Sequence, residues 1–234
     1  MFFRRVHRKS WQEKVLERVF KDRKLCEGKL LPFGCVCGEH GFLYRATLMN
    51  GMVRMEFEIH MDGSVNVAVR DADGSEMPFS TQGTPSTWQE RAFRREYEEE
   101  LWHVAECCFE PDAFRNETTR RIVAHIGETY GDEPEFLWRR SPRNAVVRRR
   151  DKGKWYAALL AVPRLKLGGN SSERVEILNL RVFPGDPERL ADNRSRFPAY
   201  HMNKKNWISL CLDGSVPFEE LASRLETSYR LAGK

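Results

Sequence analysis

Alternation dominates the first part of the chain. From Met52 to Met61, the apolar residues Val53, Met55, Phe57 and Ile59 interleave with Arg54, Glu56, Glu58 and His60. A period of two marks a strand with one face buried and one face wet. Ser64 to Asp71 continues the pattern through Val65, Val67 and Val69, and Gly41 to Met49 is a third extended run. Asn50-Gly51, Asp62-Gly63 and Asp73-Gly74 punctuate these runs. The reading is an antiparallel meander joined by two-residue turns. Its apolar face needs a cover, and the segment from about Thr87 to Phe109 supplies one. There Trp88, Ala92, Tyr97, Leu101, Val104, Ala105 and Cys108 recur at helical spacing behind a capping Ser86. Glu96, Glu98, Glu99 and Glu100 give that helix an acidic side, expected to be solvated. An earlier helix, Trp11 to about Lys24, starts at Ser10 and places Trp11, Val15, Leu16 and Val19 on one face.

Phe109-Glu110-Pro111-Asp112 reads as a junction, because proline cannot continue the helix and Asp112 can cap the next one. That next helix spans Ala113 to about Tyr130 and is broken at Gly131-Asp132-Glu133-Pro134. Strands follow at Ala145 to Arg150, Trp155 to Val162, Arg174 to Phe183 and Asn206 to Leu212. Trp155 to Val162 is apolar on both faces, which places it inside a sheet. Pro217 opens a last helix to about Leu231. The expected architecture is α+β: two domains, residues 1–110 and 111–234, each an antiparallel sheet with helices on one face. The repeated layout allows an ancient duplication, although no residue-level repeat supports one.

A chain of 234 residues suits that count, and 41% hydrophobic with 11% aromatic residues is ample core material, which excludes wholesale disorder. No run approaches the roughly 20 apolar residues that span a bilayer. The opening Met1 to Lys9 is basic with no apolar stretch behind it, unlike a secretory signal, so a cytoplasmic setting is expected. Six cysteines are then expected as thiols. Cys35-Val36-Cys37, with Cys26 and His40 nearby, resembles a fragment of a zinc site, but buried thiols are the better reading and no metal or cofactor is expected.

Charge separates the halves. Residues 1–110 carry 16 Lys and Arg against 18 Asp and Glu; residues 111–234 carry 23 against 16. Within the basic half, Arg139, Arg140, Arg143, Arg148, Arg149, Arg150, Lys152, Lys154, Arg164 and Lys166 face the single acid Asp151. Such a run is either a solvated face or a phosphate-binding surface.

Five words in order then carry a resemblance: Tyr130 to Trp138 (YGDEPEFLW), Lys154 to Ala157 (KWYA), Asn179-Leu180-Arg181, Pro198 to Trp207 (PAYHMNKKNW), and Leu212-Asp213-Gly214 with Ser228-Tyr229. Residues 113–231 thereby resemble the MmcQ/YjbR family of small bacterial proteins. Asn206 departs from the pattern, where many relatives carry histidine. The first half resembles an extra domain fused to some members. The resemblance implies an α+β fold like that of secretion chaperones, with a double-wing arrangement of hairpins and a DNA-binding role.

The residues themselves offer two arms for such a role. A hairpin from Arg148 to Trp155 would present Arg149, Arg150, Lys152 and Lys154 around Gly153, with Arg148 on its first strand and Arg139, Arg140 and Arg143 just before it extending the footprint. The second arm is His201, Asn203, Lys204 and Lys205 between Tyr200 and Trp207. Phosphates of duplex DNA are the expected contacts, while aromatics interleaved with cations also suit unpaired bases. Against this, the hairpin reads equally as a solvated turn, and His201 and Asn203 as residues bonding backbone in a tight loop. Trp138, Trp155 and Trp207 read as core. No nucleophile elbow or phosphate-binding glycine loop is present, and pairing His201 with Ser209 or Cys211 is only conceivable, so no enzyme activity is expected. The alternative function is a protein-interaction module of chaperone-like fold.

Overall fold

The computed structural model describes residues 9–75 and 84–234. The basic opening stretch that bears on a signal sequence therefore lies, except for Lys9, outside the described residues. The chain divides into two compact units, Met1–Pro111 and Asp112–Lys234.

The first unit contains α1 (Trp11–Phe20), β1 (Arg23–Leu25), α2 (Glu27–Phe33), β2 (Val36–Cys37), β3 (Phe42–Leu48), β4 (Val53–Ile59), β5 (Val65–Asp71), α3 (Trp88–Cys108) and β6 (Phe109–Pro111). Strands β2 to β5 form an antiparallel sheet in chain order. Val53, Met55, Phe57 and Ile59 are buried in one core with Phe93, Tyr97, Leu101 and Trp102 of α3, as the alternation requires. The turns are longer than two residues. Leu48 pairs with Val53 and Ile59 with Val65, and Met49 and Asn50 take left-handed φ of 54° and 55°.

Several local expectations are corrected. Thr87, not Ser86, caps α3, closing a capping box with Glu90. Trp88 is 66% exposed, whereas Phe93 belongs to the core. The acidic side of α3 is not simply solvated: Glu96 accepts from the Met49 N–H, Glu100 from the Tyr44 hydroxyl, and Glu98 from Trp102 Nε1. Helix α1 stops at Phe20 because Arg23–Leu25 pairs with Phe109–Pro111. Cys35 and Cys108 are buried thiols, and burial pushes Cys108 up to about 12. No group of three metal-ligating side chains gathers among the described residues.

The second unit contains α4 (Glu117–Tyr130), β7 (Ala145–Arg148), β8 (Trp155–Pro163), β9 (Arg174–Arg181), α5 (Asp186–Leu190), β10 (Arg196–Pro198), β11 (Trp207–Cys211) and α6 (Phe218–Gly233). Its sheet has the order β10-β11-β9-β8-β7, antiparallel throughout. Asn116 rather than Asp112 caps α4, accepting from the Thr118 N–H. One sheet face packs on α4 and α6 through Leu159, Leu178, Leu180, Ile208 and Leu210. The other face carries Leu160, Val162, Val175, Ile177 and Cys211 and packs against Phe197 and Tyr200. Both faces are therefore buried, which explains the continuous apolar reading of β8. No described helix is long and apolar enough to cross a membrane.

Candidate nucleic-acid interface

Strand direction decides which loops meet. β8 begins at Trp155, β11 begins at Trp207 and β9 ends at Arg181, so these residues lie at one end of the sheet. Trp207 pairs with Arg181, and the Arg181 Nε–H donates to the Trp155 carbonyl. Trp155, Arg181 and Trp207 thus form a row across three neighbouring strands. The turn 149–154 enters this end through β8, and the loop 199–206 enters it through β11.

The opposite end is nine residues of β8 away, about 30 Å at ~3.3 Å per residue. Arg164 and Lys166 follow the far end of β8, and Arg164 pairs with Asp213 at 2.6 Å. The basic run of the sequence is therefore not one patch. Arg143 also lies at that far end, where its guanidinium meets Glu176 at 2.8 Å and both side chains are largely buried. Burial alone would raise the Glu176 carboxyl. Hydrogen bonds from Arg143 and the Asn116 and Arg115 N–H groups outweigh it and hold the carboxyl below its ordinary value. Arg143 is a structural cation, not a free one.

Most of the hairpin arginines are also held. Arg148 forks onto Glu135, with its Nε 2.9 Å from one carboxylate oxygen. A register shift between Val147 and Arg148 marks a β-bulge. The bulge lets Tyr156 join the helix-side core while Trp155 lies on the opposite face, under the Arg148 guanidinium and edge-on to Trp138. Arg149 grips Asp151 with two nitrogens, donates to the Tyr229 carbonyl and lies 3.9 Å over the Tyr229 ring. Arg150 is 3.5 Å from the buried Asp132 carboxylate, though its side chain is 74% exposed. Arg139 and Arg140 follow Trp138 in a turn, and both are engaged in further contacts. Lys152 and Lys154 are exposed on either side of Gly153, whose φ is 64°, and neither has an ion pair among the described residues.

The second arm is anchored by a buried polar network. The Ser209 hydroxyl donates to Asn179 Oδ1 at 2.6 Å and accepts from the Tyr200 N–H, while Asn179 Nδ2 donates to the Tyr200 carbonyl. This pins Tyr200 to the loop-covered face. Beyond it His201 takes a φ of 57° and packs its ring on Tyr200. Asn203 Oδ1 accepts from the Lys205 N–H, so this side chain stabilises the loop backbone. His201, Lys204 and Lys205 are exposed, and no ion pair engages Lys204 or Lys205 among the described residues. Ser209 is committed to this network and Cys211 is buried, its thiol pushed up to about 11 by burial. Neither is placed as a nucleophile for His201.

The two arms thus contribute Lys152, Lys154, Lys204 and Lys205 to one sheet end, which also holds Arg181 over the Trp207 ring. Arg181 is the residue that reading the sequence for charge missed. Its setting depends on pairing with Trp207, 26 positions later, and the local sequence shows only a conventional strand end. Trp207 is buried as expected of core, but Trp138 is 38% exposed.

Comparison with known proteins coincides with this unit. A family model described as YjbR matches residues 128–231. "Uncharacterized protein YyaQ" of Bacillus subtilis (strain 168) is 34% identical over 114 residues, which cover 49% of this chain and 97% of that protein. A crystal structure of a Pseudomonas syringae protein shows 34% identity over 48% of this chain and 97% of its own, with a TM-score of 0.47. A Deinococcus radiodurans protein of known structure is 28% identical, covering 49% of this chain and 78% of its own, with a TM-score of 0.38.

Proposed function

The chain belongs to the YjbR family through its second unit, and from that premise we propose that this unit binds nucleic acid, chiefly through phosphates. The observation that carries the reading is the convergence of Lys152, Lys154, Lys204 and Lys205, free of carboxylate partners among the described residues, at the sheet end that holds Arg181. An ammonium already paired gives little to a phosphate; an unpaired one exchanges only water and counterions. The held arginines shape the site: Arg148 and Arg149 fix the turn that presents Lys152 and Lys154. Arg150 and His201 stand beside these lysines as secondary contacts.

Fluorescence anisotropy with labelled duplex and single-stranded DNA across a salt series tests the reading. Each phosphate neutralised on duplex adds about 0.9 to the slope of log K against log salt. Replacing the four lysines by alanine is expected to lower that slope by up to about 3.6 and to weaken all sequences alike. A salt-independent or absent response from the native chain overturns it. One feature favours a second reading, a protein partner: Phe136, Leu137 and Trp138 are consecutive and 38–48% exposed. Partners captured by the native chain after nuclease treatment, and lost from a Leu137→Asp variant, would establish it.

A further inference from the structure

Arg181 is half-buried, and no carboxylate of the described residues lies within ion-pairing distance of it. Its Nε–H is used by the Trp155 carbonyl, and its Cζ lies 4.8 Å from the Trp207 ring centroid. Neither terminal nitrogen is bonded within the described residues. A partly desolvated guanidinium without a counter-charge costs stability. Arg143, Arg148, Arg149 and Arg164 of the same unit avoid that cost with Glu176, Glu135, Asp151 and Asp213. Burial lowers the Arg181 pKa, and no carboxylate among the described residues offsets it. An anion arriving from outside would, and the Trp207 ring beside the guanidinium would strengthen the attraction by lowering the local dielectric.

Geometry narrows the anion. The guanidinium lies over the Trp207 ring and is tied to the Trp155 carbonyl, while the exposed Lys154 and Lys205 stand one and two residues before these tryptophans in the chain. A stiff duplex presents its phosphates on a convex surface and meets the exposed lysines first. A strand with splayed bases can lower one phosphate onto the half-buried guanidinium. Trp138, held edge-on to the Trp155 ring at 6.1 Å and partly exposed, offers an aromatic surface next to the residue whose carbonyl holds Arg181. Stacking on such a surface accepts any unpaired base. We infer that Arg181 takes the phosphate of an unpaired nucleotide whose base stacks on Trp138, so that this unit prefers single strands to duplex. The inference rests on the nucleic-acid reading above and adds the class of ligand.

The full chain is titrated with a 5′-labelled oligothymidylate and with a duplex of equal length at one salt concentration. The single strand is expected to bind several-fold tighter and to quench tryptophan fluorescence. Arg181→Gln should weaken the single strand about tenfold or more and the duplex much less, collapsing the preference. Arg181→Lys, which keeps charge but loses the planar fork, should fall between. Trp138→Leu should lose the quenching and part of the preference, and it covers the case in which Arg181→Gln does not fold. An unchanged strand preference in Arg181→Gln or in Trp138→Leu overturns this inference and leaves the wider reading standing, as does a lowered melting temperature with an unchanged preference. Failure of the native chain to bind either strand overturns both.

Discussion

The two sheets of this chain close their faces differently. In the first unit, β4 turns Val53, Met55, Phe57 and Ile59 into the core and leaves Arg54 and Glu56 exposed. In the second, helices shut one face and residues 199–206 lie toward the other, so polar side chains beneath that loop must find partners inside the protein. Asn179 and Ser209, both fully buried, do so with each other and with Tyr200. On an open face an unpartnered polar group is satisfied by water and carries little information. Beneath a cover it is a cost, and a cost that persists points to a ligand. That difference makes Arg181 informative and makes exposed Arg54 uninformative.

The contrast can be broken most severely at Glu176. Glu176→Gln strands the Arg143 guanidinium without its counter-charge, and about 3 kcal/mol or more of the second unit's stability is expected to go, read by urea unfolding. Asn179→Leu should follow at about 2 kcal/mol, since it leaves the Ser209 hydroxyl and Tyr200 carbonyl without their bonds. Acid gives a third, smaller effect. Hydrogen bonding to Arg196 holds the Glu220 carboxyl at about 2, below its ordinary 4.5. A depressed folded value means this stabilisation is complete above about pH 4.5 and disappears as pH falls toward 2. The pH-dependent loss over that window should shrink in Glu220→Gln. Arg45→Ala, which removes an ion pair with Glu56 on the open face, should change the first unit by less than about 1 kcal/mol. A loss at Arg45 as large as that at Glu176 would erase the distinction between the two sheets.

The same distinction explains what could be read from sequence. β4 and β5 were legible because one wet face leaves a period of two, and β8 because two dry faces leave an unbroken apolar run. Helix α2 was hidden by Pro32 inside it, and the pairing of Arg23–Leu25 with Phe109–Pro111 by the 84 to 88 positions that separate partners. β10 spans only Arg196–Pro198, too short to show any period. At the candidate site the two lysine-bearing arms were visible as composition. Which arginines are held was not, since Glu135, Asp132 and Glu176 come from other segments and a charge run records only its own members. The bulge before Arg148, which leaves both Tyr156 and Ala157 in the helix-side core, left no local mark.

Arg149 has a neighbour that gives the turn a remote control point. A Cβ built on Gly233, in the last turn of α6, would stand 3.0 Å from Arg149 Nη1. The missing side chain is the space through which the arginine reaches Tyr229. Bulk added at position 233 would press on that guanidinium, the far end of a flexible side chain, and loosen its hold on Tyr229 without touching either lysine.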